Sequence, residues 1–470
     1  MLLLVKYKDI VIDEGYMKIS EEDVKQTNTI IIGSVQPTEQ LSTSQTIFAT
    51  LSQLWKDVIG PFLVIRCLLL VVGMVTIYYI LPIVGGPWKV APSDRILHFP
   101  DMLMLMWQHF DSGFYLGIAQ TGYDGPNMLH RMSNWAFFPL YPLLIRLVAL
   151  PFGSDMDTYR LAGLFVANCA ALVAALYLYK LTTLEFGRAS AACAVLYLAL
   201  FPMSFYLSAI YPESLFLALV VSCMYYTRLR CWWLAGLLGG LATLTRPQGV
   251  LLAIVVGWEY FMFLTAVKTS QQQAKGVVAS ILNWLYARIT SLARSLTSWR
   301  NWLGFVWLAL IPGGLVLFSI YSKWKVGAFT AYFMVEKYGW GRQLTNPIPV
   351  ILRYIQHPSP PNPYDWNFYS LNLLIIFIIC LLLIPIFRKL PLRYGILTLA
   401  FLIMPVASGE TDSVARYYLA AFPVFMIIAW WTTRGSQERQ ARRHSLIVAS
   451  FAILLSVGMV LFTLGIYSIS

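Results

Sequence analysis

Charge is scarce in this chain: Asp, Glu, Lys and Arg make up only 12% of its 470 residues while 58% are hydrophobic, whereas a soluble domain carries about 25% charged residues. That scarcity, with a mean hydropathy of +0.66, excludes an ordinary soluble enzyme and implies a polytopic membrane protein. Histidine is also scarce. His98, His109, His130, His357 and His444 form no i, i+4 pair and no HExxH, so no metalloprotease-like centre is written here. The six cysteines (Cys67, Cys169, Cys193, Cys223, Cys231 and Cys380) are scattered through apolar runs without close CxxC spacing. This argues against disulfides or zinc and for buried core thiols. The net charge of +12 would suggest nucleic acid in a soluble chain. In a membrane protein basic residues mark cytoplasmic loops instead, and no nucleic-acid partner is expected.

What is present is a series of hydrophobic runs, at 61–81, 160–180, 189–209, 213–228, 232–245, 248–266, 303–321, 370–387, 394–407, 414–431 and 446–467. They predict an all-α bundle of about eleven spans. Residues 1–55 are polar and rich in Ser, Thr and Gln, and read as a disordered cytoplasmic tail ahead of a membrane domain over 56–470. The segment 137–150 is apolar but interrupted by Pro139 and Pro142, which suits an interfacial or re-entrant piece. Lys56 and Arg66 at the first span place the N-terminus in the cytoplasm. Basic residues then recur in alternate loops: Lys180 and Arg188, Arg228 and Arg230, Lys268 through Arg300, Arg388 through Arg393, and Arg434 through Arg443. The loop 322–369 breaks the pattern, being external yet bearing Lys323, Lys325, Lys337, Arg342 and Arg353 against Glu336 and Asp365. An anionic ligand would account for it.

This topology gathers the unusual polar residues on the external face. The first external loop, 82–159, carries Asp111, and short turns carry Tyr211-Pro212-Glu213, Arg246-Pro247-Gln248-Gly249, Trp340-Gly341-Arg342 and Glu410 through Arg416. An enzyme moving a sugar from a lipid phosphate needs a carboxylate to take the proton of the attacking hydroxyl. It also needs cations for the charge that grows on the leaving phosphate. Asp111 suits the first task, and Arg246, Arg342 and Arg416 the second, because a guanidinium stays charged and grips two oxygens.

"HFDSGFYLGIAQTGY" followed by "NWAFFPLYPLLIR" resembles the first-loop signature of the PIG-V family, the GPI mannosyltransferase II enzymes and their bacterial and archaeal relatives. "FPMSFYLSAIYPESLFLAL" and "LATLTRPQGVLL" are similar to the family's next two elements. "GAFTAYFMVEKYGWGRQLTNP" and "SVARYYLAAFPVF" resemble later ones, all in order from about residue 105 to 425. The resemblance implies a bacterial or archaeal relative with a glycosyltransferase C-type fold, and interfacial helices in the first loop. It further implies a polyprenyl (dolichyl) phosphate hexose donor, with mannose the expected sugar, transferred with inversion to a lipid-linked or glycan acceptor. Carried over by position, Asp111 is the base, Glu213 orients hydroxyls, and Arg246, Arg342 and Arg416 face the phosphate. Tyr211 and His109 are candidate substrate-orienting neighbours, although packing at the interface is the commoner use of each. His109-Phe110 stands where the family has Arg-Trp or Trp, which touches substrate contacts rather than Asp111 itself. No cofactor is called for, and a divalent metal, though compatible with such chemistry, finds no support among the residues.

Simpler readings compete. Asp155-x-Asp157 has the form of a metal-nucleotide motif but precedes a span, where helix capping is the ordinary use. Glu213 begins a span, where the helix dipole alone favours a carboxylate. A polytopic transporter or flippase of lipid-linked sugars would also show many spans, but it would carry midplane charges and internal repeats, neither evident here. A noncatalytic scaffold in lipid-linked glycan assembly is a third reading. The expected location is a membrane: the plasma membrane in a prokaryote, the endoplasmic reticulum in a eukaryote, with the site external or lumenal.

Overall fold

The computed structural model describes residues 50–84, 104, 106–266, 286, 288–356, 369–409 and 413–465. The chain divides into Met1–Leu54 and Trp55–Ser470. The expected tail, Lys268, Lys275, Asp365, Glu410, His98 and His357 therefore lie outside the described residues, apart from the tail's last few positions. Among the described residues every regular element is helical, as expected.

Each of the eleven hydrophobic runs contains helix, although the run 189–209 is α-helical only to Leu200 and the run 414–431 is broken in two. The helices are α1 (Thr50–Ile83), α2 (Ser112–Thr121), α3 (Leu140–Ala149), α4 (Met156–Phe186), α5 (Arg188–Leu200), α6 (Glu213–Arg228), α7 (Trp232–Thr245) and α8 (Leu252–Leu264). There follow α9 (Trp299–Val326), α10 (Ala331–Tyr338), α11 (Pro347–Gln356), α12 (Tyr369–Lys389), α13 (Leu392–Ala407), α14 (Val414–Tyr417), α15 (Pro423–Thr432) and α16 (Gln437–Thr463). Fewer of them are long enough to cross a bilayer than the run count suggests. Among the described residues six pass by length and composition, or seven if the pair 414–420 and 423–432, bent by 75°, is one span. Helices α3, α5, α7 and α13 are apolar but only 10–17 residues long.

Local chemistry explains the breaks. Asp155 caps α4, its carboxylate accepting from the Thr158 amide at 2.9 Å and the Thr158 hydroxyl at 2.6 Å, while Asp157 pairs with Arg160. The Asp155-x-Asp157 pair thus does capping work. Gly187, at φ 84°, ends α4 and starts α5 in one residue, a conformation open to glycine without strain. On α4, Ala167, Ala170, Ala171, Ala174 and Ala175 are all buried, giving a small-residue stripe that lets α5 and α6 come close. Large side chains face outward instead, such as Phe165, Ile254, Phe377 and Ile453, the arrangement an apolar solvent permits.

Two expectations are corrected. Arg66 does not flank a span. It lies inside α1, buried, with Nη1 donating to the Ser204 carbonyl at 2.9 Å and the guanidinium over the Phe62 ring. The irregular backbone at 201–212 leaves carbonyls that need donors, so this arginine serves packing rather than orientation. Nor are the thiols mainly buried. All six cysteines are free, but Cys67, Cys169 and Cys380 are exposed and only Cys223 is fully buried, because on a membrane helix the apolar face can be the outer one.

Ion pairs gather at both ends of the bundle. At one end Arg393, at the start of α13, bonds Glu259 at 2.8 Å and Glu185 at 3.2 Å. Arg228 and the Tyr394 hydroxyl reach the same Glu185 oxygen at 3.0 Å. The other end, a length of about 24 Å away for a 16-residue helix such as α6, holds the candidate site. Helix α7 runs between them against α9, so close that a Cβ on Gly240 would stand 2.6 Å from the Leu310 carbonyl oxygen. Gly240→Val is expected to force these helices apart and to cost about 1–3 kcal/mol, read as a lowered thermal midpoint of the detergent-purified protein.

Candidate active site

The site is assembled from four distant stretches. Asp111 ends the turn before α2, and its predecessor Phe110 holds φ 50°, a left-handed conformation costly for a bulky residue. Tyr211 makes that turn tenable. Its hydroxyl donates to the His109 carbonyl at 2.8 Å and accepts from the Asp111 amide at 3.2 Å. Ser413, at φ 63°, opens α14 in the same way and sets Arg416 one turn later. Arg246 sits in extended backbone between α7 and the turn Pro247–Leu251. That turn folds back so tightly that a Cβ on Gly249 would lie 2.4 Å from the Thr243 nitrogen, which is why the Thr-Arg-x-x-Gly element ends in glycine.

These turns bring four charges into an alternating chain. Arg416 Nη1 and Nη2 both donate to Asp111 Oδ2 at 3.0 Å, while its Nε stands 3.0 Å from Glu213 Oε1. Arg246 Nη2 approaches the same Glu213 oxygen at 3.0 Å. Arg416 and Glu213 are each only 2% exposed in their side chains, so neither charge is tolerable without the other. Aromatic faces enclose the guanidinium of Arg416, with Tyr206, Tyr211 and Tyr417 within 5.1–5.3 Å. Arg246 lies over Tyr417 at 4.7 Å. Such cation–π contacts strengthen where water is excluded.

A cavity of about 110 Å³ opens beside this chain, lined by Asp111, Arg246, Arg342 and Arg416 among others. Arg342 stacks against Trp340 at 5.9 Å, its amide bonds the Glu336 carbonyl at 2.8 Å, and it has no ion-pair partner among the described residues. Of the basic residues in 322–369 it alone lines the cavity. Lys323 donates to the Gly327 carbonyl and Arg353 to that of Gly409 instead.

Three other sequence candidates lie behind the wall. Glu213 holds the two arginines, and Tyr211 holds the Asp111 turn. His109 packs edge-on against Phe462, and burial pushes its imidazole down to about 4, so it is neutral near pH 7. Sequence reasoning missed Tyr206, Tyr417 and Glu336, the last two of which line the cavity. Tyr417 adjoins Arg416 in the "VARYY" element, and Glu336 lies six residues before Arg342, so both were within motifs already noted. Among the described residues no group of three or more His, Cys, Asp or Glu stands together as a metal site.

Residues 56–294 match the family model described as "Mannosyltransferase (PIG-V)", a stretch that holds Asp111, Tyr211, Glu213 and Arg246. The chain belongs to the PIG-V mannosyltransferase family. A curated relative, GPI alpha-1,6-mannosyltransferase 2 of Rattus norvegicus, is 30% identical over 178 residues. That match covers 35% of this chain and 34% of the relative, so the chain spans about a third of the length of the protein it matches. Among solved structures, ArnT from Cupriavidus metallidurans bound to undecaprenyl phosphate matches with a TM-score of 0.45 and 14% identity. The match covers 80% of this PIG-V family chain and 77% of that one. The archaeal oligosaccharyltransferase AglB from Archaeoglobus fulgidus, in complex with an inhibitory peptide and a dolichol-phosphate, gives 0.41 and 13%, over 85% of this chain and 56% of its own. Likeness at that level says nothing about residue roles. Arg342 and Arg416 lie beyond the matched stretch of the family model, and their place beside Asp111 comes from the geometry alone.

Removing the shared guanidinium leaves Asp111 without its cation and Glu213 with Arg246 alone. Arg416→Leu is therefore expected to destabilise the protein by about 3–5 kcal/mol, whereas Asp111→Asn, which leaves Glu213 opposite Arg416, destabilises less. Thermal unfolding of the two variants in one detergent decides the order.

Proposed function

We propose that this PIG-V family member is an integral membrane glycosyltransferase that moves a hexose, with mannose the expected sugar, from a polyprenyl phosphate to a hydroxyl of a lipid-linked or glycan acceptor. One observation carries the proposal: in a chain of this family, a buried carboxylate and three arginines converge on a single small cavity.

In this reading the acceptor hydroxyl gives its proton to Asp111. Oδ2 is occupied by both terminal nitrogens of Arg416, which leaves Oδ1 for the acceptor. The acceptor oxygen bonds to C1 of the sugar from the face opposite the phosphate, and the C1–O bond to the phosphate breaks with its electron pair on the leaving oxygen. The outcome is inversion. A phosphate needs no proton to leave, only compensation of its charge. Arg342, which has no carboxylate partner among the described residues, is the guanidinium best placed to give it, with Arg246 beside it. Glu213 fixes the arginines and Tyr211 fixes the Asp111 turn, so both act through neighbours rather than on the sugar. His109, neutral and packed on Phe462, supports that turn.

The proposed orientation puts the site at the external or lumenal face and the Arg393–Glu185 end in the cytoplasm, the N-terminus with it. The basic residues Arg188, Arg228 and Arg393, expected on one side, all make contacts near that end. The reaction as written needs no metal.

Membranes containing the protein are expected to transfer radiolabel from polyprenyl-phosphate mannose into lipid or glycan fractions. Asp111→Asn, at equal abundance, should reduce that transfer by roughly 10²–10⁴-fold. Wild-type membranes that transfer no sugar from a panel of such donors would overturn the reading, and equal activity of the two proteins would remove Asp111 as base. Arg342→Ala should raise the KM for the donor more than it lowers kcat if it meets the phosphate in the ground state, with Arg342→Lys intermediate.

A further inference from the structure

Glu336 is an acid in the cavity that this scheme leaves without a task. It lies on α10, which packs through Ala331 and Val335 against Leu129, Trp135, Phe138 and Phe318. That packing seats Glu336 in the wall of the cavity that Asp111 also lines. The two carboxylates are engaged differently. Asp111 is gripped by Arg416. Glu336 makes no ion pair among the described residues, and its neighbours on the cavity wall are Arg342, Tyr332, Tyr115, Arg246, Arg416 and Tyr417. Burial is the main influence on it and raises its carboxyl to about 7, opposed by Arg342 and reinforced by the charge of Asp111. A carboxyl in that range gains and loses a proton easily near neutral pH, as a group handling protons in catalysis should.

The scheme above has such a need. Each transfer leaves a proton on Asp111, and the ion pair with Arg416 is restored only when that proton goes. We propose that Glu336 is the relay residue of the site, taking from Asp111 the proton of the acceptor hydroxyl and releasing it to solvent. The inference rests on the reading of Asp111 as base. The balance is simple: the proton moves from the acceptor oxygen to Asp111, from Asp111 to the Glu336 carboxylate, and from Glu336 to water, with no electrons exchanged. The shared cavity of about 110 Å³ exceeds the ~10–15 Å³ that one bridging water needs, so the two acids need not touch.

The sign of the pH dependence follows. Glu336 must be ionised to receive the proton, so turnover is lost as pH falls through about 7 and retained above it. The test compares the pH profile of kcat for wild type, Glu336→Gln and Glu336→Asp. His130→Gln serves as control because His130 lies against Tyr338 of the same helix. Glu336→Gln is expected to slow transfer roughly 10- to 100-fold, less than loss of a direct base at the upper end of ~10²–10⁴-fold, and to flatten the acid limb. Glu336→Asp should restore part of the rate with the limb displaced, and His130→Gln should leave it in place. A Glu336→Gln enzyme that keeps the wild-type limb, whatever its rate, overturns the relay. If that variant does not accumulate, an unshifted limb in Glu336→Asp does the same. Infrared difference spectra of the purified protein across neutral pH give an answer without any donor: a carboxylic-acid band that grows on acidification is expected, and its persistence in Glu336→Gln overturns the proposal. Wild type silent with every donor would instead sink the transferase reading, and the relay with it.

Discussion

Everything at the active end depends on one guanidinium shared by two carboxylates. Arg416 joins Asp111 to Glu213 across 305 positions of sequence from the former, and it does so almost out of reach of water. A buried pair of this kind adds little net stability compared with an apolar replacement. What it supplies is register, because the first loop, the start of α6 and the bent segment 414–432 can close only in the one arrangement that brings the three charges together. The strain at Phe110 and Ser413, of order 1–3 kcal/mol each, is tolerated on either side of that contact. Of the three non-glycine residues at positive φ among the described residues, Phe110 and Ser413 lie one and three positions from the two partners, and the third, Arg230, lies at the other end.

The opposite end has a second knot, Arg393 between Glu185 and Glu259, with a different character. Arg228, partly exposed, and the Tyr394 hydroxyl share its load, and Arg230, two positions after Arg228, holds φ 58°. Helices α6 and α13 run from one knot to the other. Two clusters of similar composition therefore bracket the same helices, one partly open at Arg228 and Glu259, the other more deeply buried and set beside a cavity.

Much of this was legible in the sequence, and for clear reasons. Asp111, Glu213, Arg246 and Arg416 stood out because a charge among apolar residues has few innocent uses, and their motifs fell in order. Helix positions were legible because each hydrophobic run contains helix here. The number of helices long enough to cross was less legible, since α5, α7 and α13 are apolar but only 10–17 residues long. Arg66 misled because a basic residue near the start of a run looks like an orientation signal, whereas its carbonyl partner at Ser204 lies 138 positions away. Glu336 was passed over as a counter-charge in a basic loop. Its burial comes from packing of Ala331 and Val335 onto residues near 129–138, a contact that no local pattern announces.

The separation between Asp111 and Arg416 also fixes an order of events in time. At a synthesis rate of about 5–20 residues per second, the 305 residues between them take roughly 15–60 s to emerge. Throughout that interval the first loop is already made while the cation of Asp111 is not, whereas Glu213 has Arg246 only 33 positions behind it. Tyr211 can already hold the turn at Phe110, but the Asp111 carboxylate must wait near water until the last eighth of the chain arrives. A chain cut short before residue 416 would carry Asp111 without the guanidinium on which it closes.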